Sequence, residues 1–208
     1  MFSVCVYCGA ADVGTSYFEL AEATGKAIAE QGWRLVYGGG NTGLMGAVAH
    51  GALTAGGEVV GIMPTFLVDQ ERAHRGITQL EVVENMAERK ARFFDLSDAF
   101  VTLPGGMGTL DELFESITAY QLRLHEGISY ILNANGFYSG LQQQMELMYQ
   151  EGFIHQFRDA LASGNVTPWV FEDSVEALID SIQTQRQRAE KLAHAAEATQ
   201  TTITPETV

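Results

Sequence analysis

Cysteine is nearly absent from this chain of 208 residues, which holds only Cys5 and Cys8. A C-x-x-C pair can serve a redox or zinc site, but there is no second cysteine pair. The histidines, at 50, 74, 125, 155 and 194, follow no ligand spacing. Cys5 also lies in a stretch that reads as a strand, where residues three apart point to opposite faces. Both cysteines are therefore expected to be structural, with no disulfide and no metal. Long apolar runs are missing too; none approaches the roughly 20 residues needed to cross a bilayer. No basic segment precedes the first strand-like run, so no signal peptide is expected and the cytoplasm is the expected compartment.

Positive charge is also scarce. Twelve Lys and Arg against 26 Asp and Glu leave a formal net charge of −14. Non-specific nucleic-acid binding rests on neutralising phosphates with Lys and Arg, so nucleic acid and anionic membrane are excluded as expected partners. A phosphate-bearing small molecule remains compatible, provided the site supplies its own local positive potential.

Glycine, by contrast, is abundant: 22 residues, in a chain that is 46% hydrophobic and 18% charged. That composition suits one soluble α/β domain. Strand-like runs at 2–7, 33–37, 58–63, 80–83, 99–103, 128–132 and near 166–170 alternate with helical stretches at 16–31, 42–55, 85–96, 109–124, 138–150 and from 173. Residues 65–78 read as a loop, and Ser16 as the cap of the first helix. Near-continuous apolar strands separated by helices predict a mostly parallel sheet of about seven strands with helices on both faces. This is the doubly wound, Rossmann-like fold. The expected domain spans residues 1–193, with 194–208 a disordered tail.

In such sheets ligands sit beyond the carboxyl ends of the strands. Three glycine-rich turns fall there: Cys8–Ala11, Gly38–Gly43 and Pro104–Thr109. The last leads into a helix whose unpaired N–H groups, expected from Thr109 onward, favour an anion; with glycines permitting close approach, it reads as a phosphate cradle. A tight turn with glycines used only for packing is the bland alternative. Gly38-Gly39-Gly40-Asn41-Thr42-Gly43 matches G-x-G-x-x-G, but a dinucleotide site needs an acid at the carboxyl end of the next strand, and Glu58 stands at its beginning. Glu112, three residues after Thr109, is either a capping-box glutamate or a carboxylate facing a ribose beside the cradle. Arg89 and Lys90 supply positive charge near the same crevice, unless they are merely a solvated pair. Cleavage of a glycoside passes through an oxocarbenium-like state, which a carboxylate near the sugar stabilises; a phosphate anchor positions that sugar.

The strings Tyr37-Gly38-Gly39-Gly40-Asn41-Thr42-Gly43-Leu44-Met45-Gly46, Glu88-Arg89-Lys90-Ala91 and Pro104-Gly105-Gly106-Met107-Gly108-Thr109-Leu110-Asp111-Glu112 resemble the Lonely Guy (LOG) family, over roughly residues 2 to 180. The resemblance implies a homodimer that releases adenine or an N6-modified, cytokinin-type adenine from its nucleoside 5′-monophosphate, without a cofactor. It implies Arg89 and Glu112 as the catalytic pair. Implied substrate contacts are Lys90, Gly105, Gly106, Gly108 and Thr109, with Gly9, Gly39, Gly40, Met86 and Met107 in the same strings and turns, and Glu71 and Thr118 as further candidates. Two departures stand out: Ala87 where the family has histidine, and Glu126-Gly127 where it has Lys-Pro. A non-catalytic nucleotide or cofactor carrier on the same fold is the alternative. The family's old decarboxylase label requires a Schiff-base lysine; of Lys26, Lys90 and Lys191, only Lys90 is expected near the crevice, beside the like-charged Arg89.

Overall fold

The computed structural model describes residues 1–11, 13–68, 70, 73–154 and 167–201, with side chains to residue 192. Seven strands form one sheet: β1 (Ser3–Tyr7), β2 (Arg34–Tyr37), β3 (Val59–Pro64), β4 (Gln79–Val83), β5 (Ala99–Thr102), β6 (Ser129–Leu132) and β7 (Trp169–Glu172). Every pairing is parallel, in the order β4-β3-β2-β1-β5-β6-β7. The expected doubly wound architecture is the one observed. The central strands are buried on both faces, which is why β1 reads Ser-Val-Cys-Val-Tyr without alternation.

The helices are α1 (Thr15–Glu30), α2 (Gly43–Thr54), α3 (Thr65–Val68), α4 (Met86–Leu96), α5 (Met107–Gln121), α6 (Ser139–Gln150) and α7 (Val175–Thr201). On one face Ile28 of α1, Val48 of α2 and Leu178 of α7 pack on Val4, Val6, Leu35 and Val101. On the other, Phe93 of α4 packs on Cys5, Tyr7 and Phe100, while Leu113 of α5 and Met145 of α6 pack on Ile131. Cys5 and Cys8 thus lie on opposite faces of the sheet, as their spacing predicts.

Five expectations are corrected. Ser16 does not cap α1: the cap is Gly14, with no side-chain bond, and Ser16 lies inside the helix. The segment after β3 holds the short helix α3 rather than loop throughout. The third glycine turn gives way to α5 at Met107, two residues before Thr109. β7 begins at Trp169, whereas the expected strand started near Val166, which lies outside the described residues. α7 continues to Thr201, past residue 194 where the tail is expected to begin.

The strand order turns back between β1 and β5, since the chain goes outward through β2, β3 and β4 on one side and through β6 and β7 on the other. Adjacent loops diverge at such a switch point and open a crevice beyond the strand ends. Here the two loops are joined at their base: Leu103 N–H donates to Tyr7 O at 2.9 Å and Gly9 N–H to Pro104 O at 3.3 Å.

Candidate active site

Arg89 is brought to this crevice by the start of α4. Asn85 caps that helix, its Oδ1 accepting from Glu88 N–H at 2.9 Å, while Glu88 Oε2 accepts from Glu84 N–H at 2.7 Å. Fixing the first turn this way aims residue 89 inward. The guanidinium is buried, and a buried charge needs partners on every polar atom. Nε donates to Ile62 O at 3.0 Å and Nη2 to Gly38 O at 3.1 Å, so the ends of β3 and β2 hold it. Nη1 lies 3.7 Å from Met86 Sδ and 3.7 Å from Glu112 Oε1, and the group sits 5.3 Å from the centre of the Phe93 ring.

Glu112 comes from α5. Because α5 starts at Met107 after the Gly106 cap, Glu112 is the sixth helical residue and too deep for a capping box. It faces Arg89 instead, with 13% of its side chain exposed against 9% for the arginine. Burial pushes its carboxyl up to about 7, against the opposing pull of Arg89. Beneath the pair, Tyr7 packs against Phe93 and Phe100 with ring centres 5.7 and 6.0 Å away. This dry floor is what raises the carboxyl, and a charge held in such surroundings acts more strongly on a neighbouring cation than it would in water.

The two readings of the third glycine turn divide by residue. A Cβ on Gly105 would lie 2.2 Å from Thr109 Oγ1, so Gly105 is required by packing, and Thr109 is buried against it. Gly106 and Gly108 are exposed, and a Cβ on either would meet nothing within 4 Å. No packing reason explains those two glycines. They leave the N-terminus of a fifteen-residue helix uncovered, with its dipole and unpaired N–H groups turned outward.

The remaining expected residues scatter. Met86 touches Arg89, and Met107, 85% exposed, stands at the first position of α5. Gly9 lines the crevice with its N–H and C=O both engaged, the latter by Leu44 N–H at 3.1 Å. Gly39 and Gly40 serve the fold: Gly39 O accepts from His74 N–H at 2.8 Å, and Gly40 bridges to Ala73. Lys90 faces the outer side of α5, where Nζ is paired with Glu115 and, at 3.3 Å, with Asp111. Thr118 is exposed on that outer side, six residues beyond Glu112 and so roughly 9 Å further along the helix. Glu71 lies outside the described residues. Gly38 and the Ile62 carbonyl, which hold Arg89, were not among the expected residues. Nothing local in the sequence signals that a glycine serves an arginine 51 positions later.

Two other chemistries are disfavoured by the same geometry. Glu58 pairs with Arg34 at 2.7 Å at the amino edge of the sheet, where it cannot serve a ribose in the crevice. The Lys90 ammonium is held charged by its hydrogen bond to Glu115, with Asp111 adding to the effect, so its pKa is raised. A Schiff-base lysine needs the opposite, a free neutral amine. Among the described residues no group of three or more His, Cys, Asp or Glu is placed to hold a metal ion, and no helix is long and apolar enough to cross a membrane.

Comparison with known proteins converges on one family. Residues 45–182 match a family described as "possible lysine decarboxylase". A cytokinin riboside 5′-monophosphate phosphoribohydrolase of Rhodococcoides fascians is 49% identical over 154 residues, covering 73% of this chain and 78% of that protein. The one from Mycobacterium marinum is 42% identical, over 74% of this chain and 82% of its own. The rice enzyme LOG is 42% identical over 73% of this chain and 63% of its length. Among solved structures, molybdenum cofactor binding and carrier proteins from Rippkaea orientalis and Chlamydomonas reinhardtii superpose with TM-scores of 0.63 and 0.64. They cover 88% of this chain and 96% of theirs at 23% and 20% identity, a likeness of fold.

Proposed function

This chain belongs to the Lonely Guy family of nucleotide phosphoribohydrolases, and on that premise we propose that it cleaves the N-glycosidic bond of an adenine-type nucleoside 5′-monophosphate. The products are the free base, adenine or an N6-modified adenine, and ribose 5-phosphate. The observation that carries this reading is the buried Arg89–Glu112 pair beside the uncovered N-terminus of α5.

The 5′-phosphate is held by the N–H groups around Gly106 and Gly108, where charge-assisted bonds are worth roughly 1.5–3 kcal/mol each. With the phosphate anchored, the sugar lies toward Glu112. As the bond between C1′ and the base nitrogen breaks, its electron pair leaves with the base and positive charge grows on the ribose; the Glu112 carboxylate stabilises that charge. Water adds to C1′ and loses a proton, and the base gains one. Arg89 favours the ionised carboxylate and holds it in place. The reaction consumes only water besides the nucleotide.

A homodimer is part of the same proposal. The outer face of α5 and its C-terminal turn expose Met107, Phe114, Leu122 and Leu124 around an apolar groove, a surface suited to a second copy. The cytoplasm is the proposed compartment.

The test is chromatographic. Purified protein is incubated with AMP and separately with isopentenyladenosine 5′-monophosphate, beside an Arg89→Ala control. Base release that the control abolishes supports the reading, and the ratio of the two rates assigns the preference. Retained nucleotide binding with no release from either would establish a carrier instead.

A further inference from the structure

The Arg89 guanidinium lies against a position at the exit of β2 that has no side chain. A Cβ on Gly38 would lie 2.0 Å from Arg89 Nη2 and 3.2 Å from Cζ. The other of its three nearest atoms would be Met45 Sδ, at 3.0 Å. We propose that Gly38 is a positioning residue for the cleavage: its missing side chain opens the slot in which the Arg89 guanidinium lies, and its carbonyl fixes the guanidinium there. The proposal rests on the reading in which Arg89 and Glu112 act on the nucleotide.

The kind of overlap decides what a substitution does. Backbone against backbone would damage the fold; here the obstructing atoms are the far ends of two flexible side chains. An alanine at 38 therefore leaves the sheet intact and moves the guanidinium instead, off the Gly38 carbonyl and off Glu112. The carboxylate then loses the cation that most favours its charged form. Its other charged neighbours are Lys90 from α4, already bound to α5 carboxylates, and Asp111 and Glu115 from α5 itself. From β1 come Cys5 and Tyr7, both buried with their titrations pushed up by burial, with Cys8 just beyond. None of them replaces Arg89.

Gly38→Ala is compared with wild type, Arg89→Ala and the double variant by two readouts. The first is a 13C NMR titration of the Glu112 carboxyl, which needs no turnover. The second is base release from AMP. In Gly38→Ala the Glu112 midpoint should rise above the wild-type value and turnover should fall about 10²-fold, the usual result of an ångström-scale displacement. In the Arg89→Ala background the same substitution should change neither, because the atom it obstructs is gone. Any loss of melting temperature caused by Gly38→Ala should be smaller in the Arg89→Ala background, where only the Met45 contact remains. An unmoved midpoint in Gly38→Ala, or an equal loss with and without Arg89, overturns the proposal. A shifted midpoint in a protein that releases no base would support the positioning role and reject the phosphoribohydrolase reading.

Discussion

Two of the glycine-rich turns that follow parallel strands do opposite things. In Gly38-Gly39-Gly40 the backbone is consumed by the protein: Gly38 O holds Arg89, Gly39 O holds His74, and Gly40 pairs with Ala73. In Pro104-Gly105-Gly106-Met107-Gly108, only Gly105 is packed, while Gly106 and Gly108 face open space at a helix N-terminus. The first turn is a joint, and the second is left open, which is what the proposed reading uses as a receptor for the phosphate. Glycine content does not separate them; what separates them is whether a later part of the chain has already occupied the space the glycines leave.

The largest expected effect tests what both turns serve. Glu112→Gln removes the charge but keeps the shape, so it should retain nucleotide binding and lose roughly 10²- to 10⁴-fold in turnover, within the range for a group acting in the transition state. Turnover equal to wild type would refute the assignment. Next comes the anchor. Adenosine, which lacks the 5′-phosphate, should react at least about 10²-fold more slowly than AMP, since one or two charge-assisted bonds are missing. Equal rates would show that the second turn is no receptor.

The third test separates residues inside that turn. Gly105→Ala drives a methyl into Thr109 and should lower stability by roughly 1–3 kcal/mol, seen as an earlier urea midpoint. The Cβ of Gly106→Val has no protein atom within 4 Å; the variant should leave the midpoint in place and raise KM for AMP. The reverse pattern would mean that packing, and not a ligand, demands the exposed glycine.

The last effect is on stability against pH. Glu112 has its carboxyl raised from the usual 4.5 to about 7. Between those values the folded chain keeps a proton that the unfolded chain has lost. The resulting stabilisation is complete below about pH 4.5 and gone once pH passes about 7. Glu112→Gln should therefore be the more stable protein at pH 8, by up to roughly 3 kcal/mol, and lose that advantage toward pH 4. The wild-type rate should rise through the upper part of that window as the carboxylate forms. A flat difference between the two proteins from pH 4 to 8 would show that the carboxyl is not held in a dry site.

Much of the fold was legible because it rests on local pattern. Unbroken apolar runs mark strands covered on both faces, and a seven-stranded parallel sheet follows from their alternation with helices. Arg89 and Glu112 were legible only because three strings together resemble a known family; composition alone left each with a bland alternative. Start points were less readable. α5 begins at Met107, although a glycine stands on each side of it, and the turn before it is closed by Pro104 O receiving Gly9 N–H. That bond joins parts of the chain 95 residues apart.

The sequence by itself determined the parallel sheet of seven strands and the placement of glycine turns at the carboxyl ends of its strands, since periodicity and glycine placement act over a few residues. Only the tertiary structure decided which glycine turn stays open and which is filled. It also decided that Lys90 is spent on Asp111 and Glu115, and that burial lifts Glu112 to about 7. The physical reason is common to all three: occupancy, pairing and desolvation are set by atoms that the chain brings together from a distance.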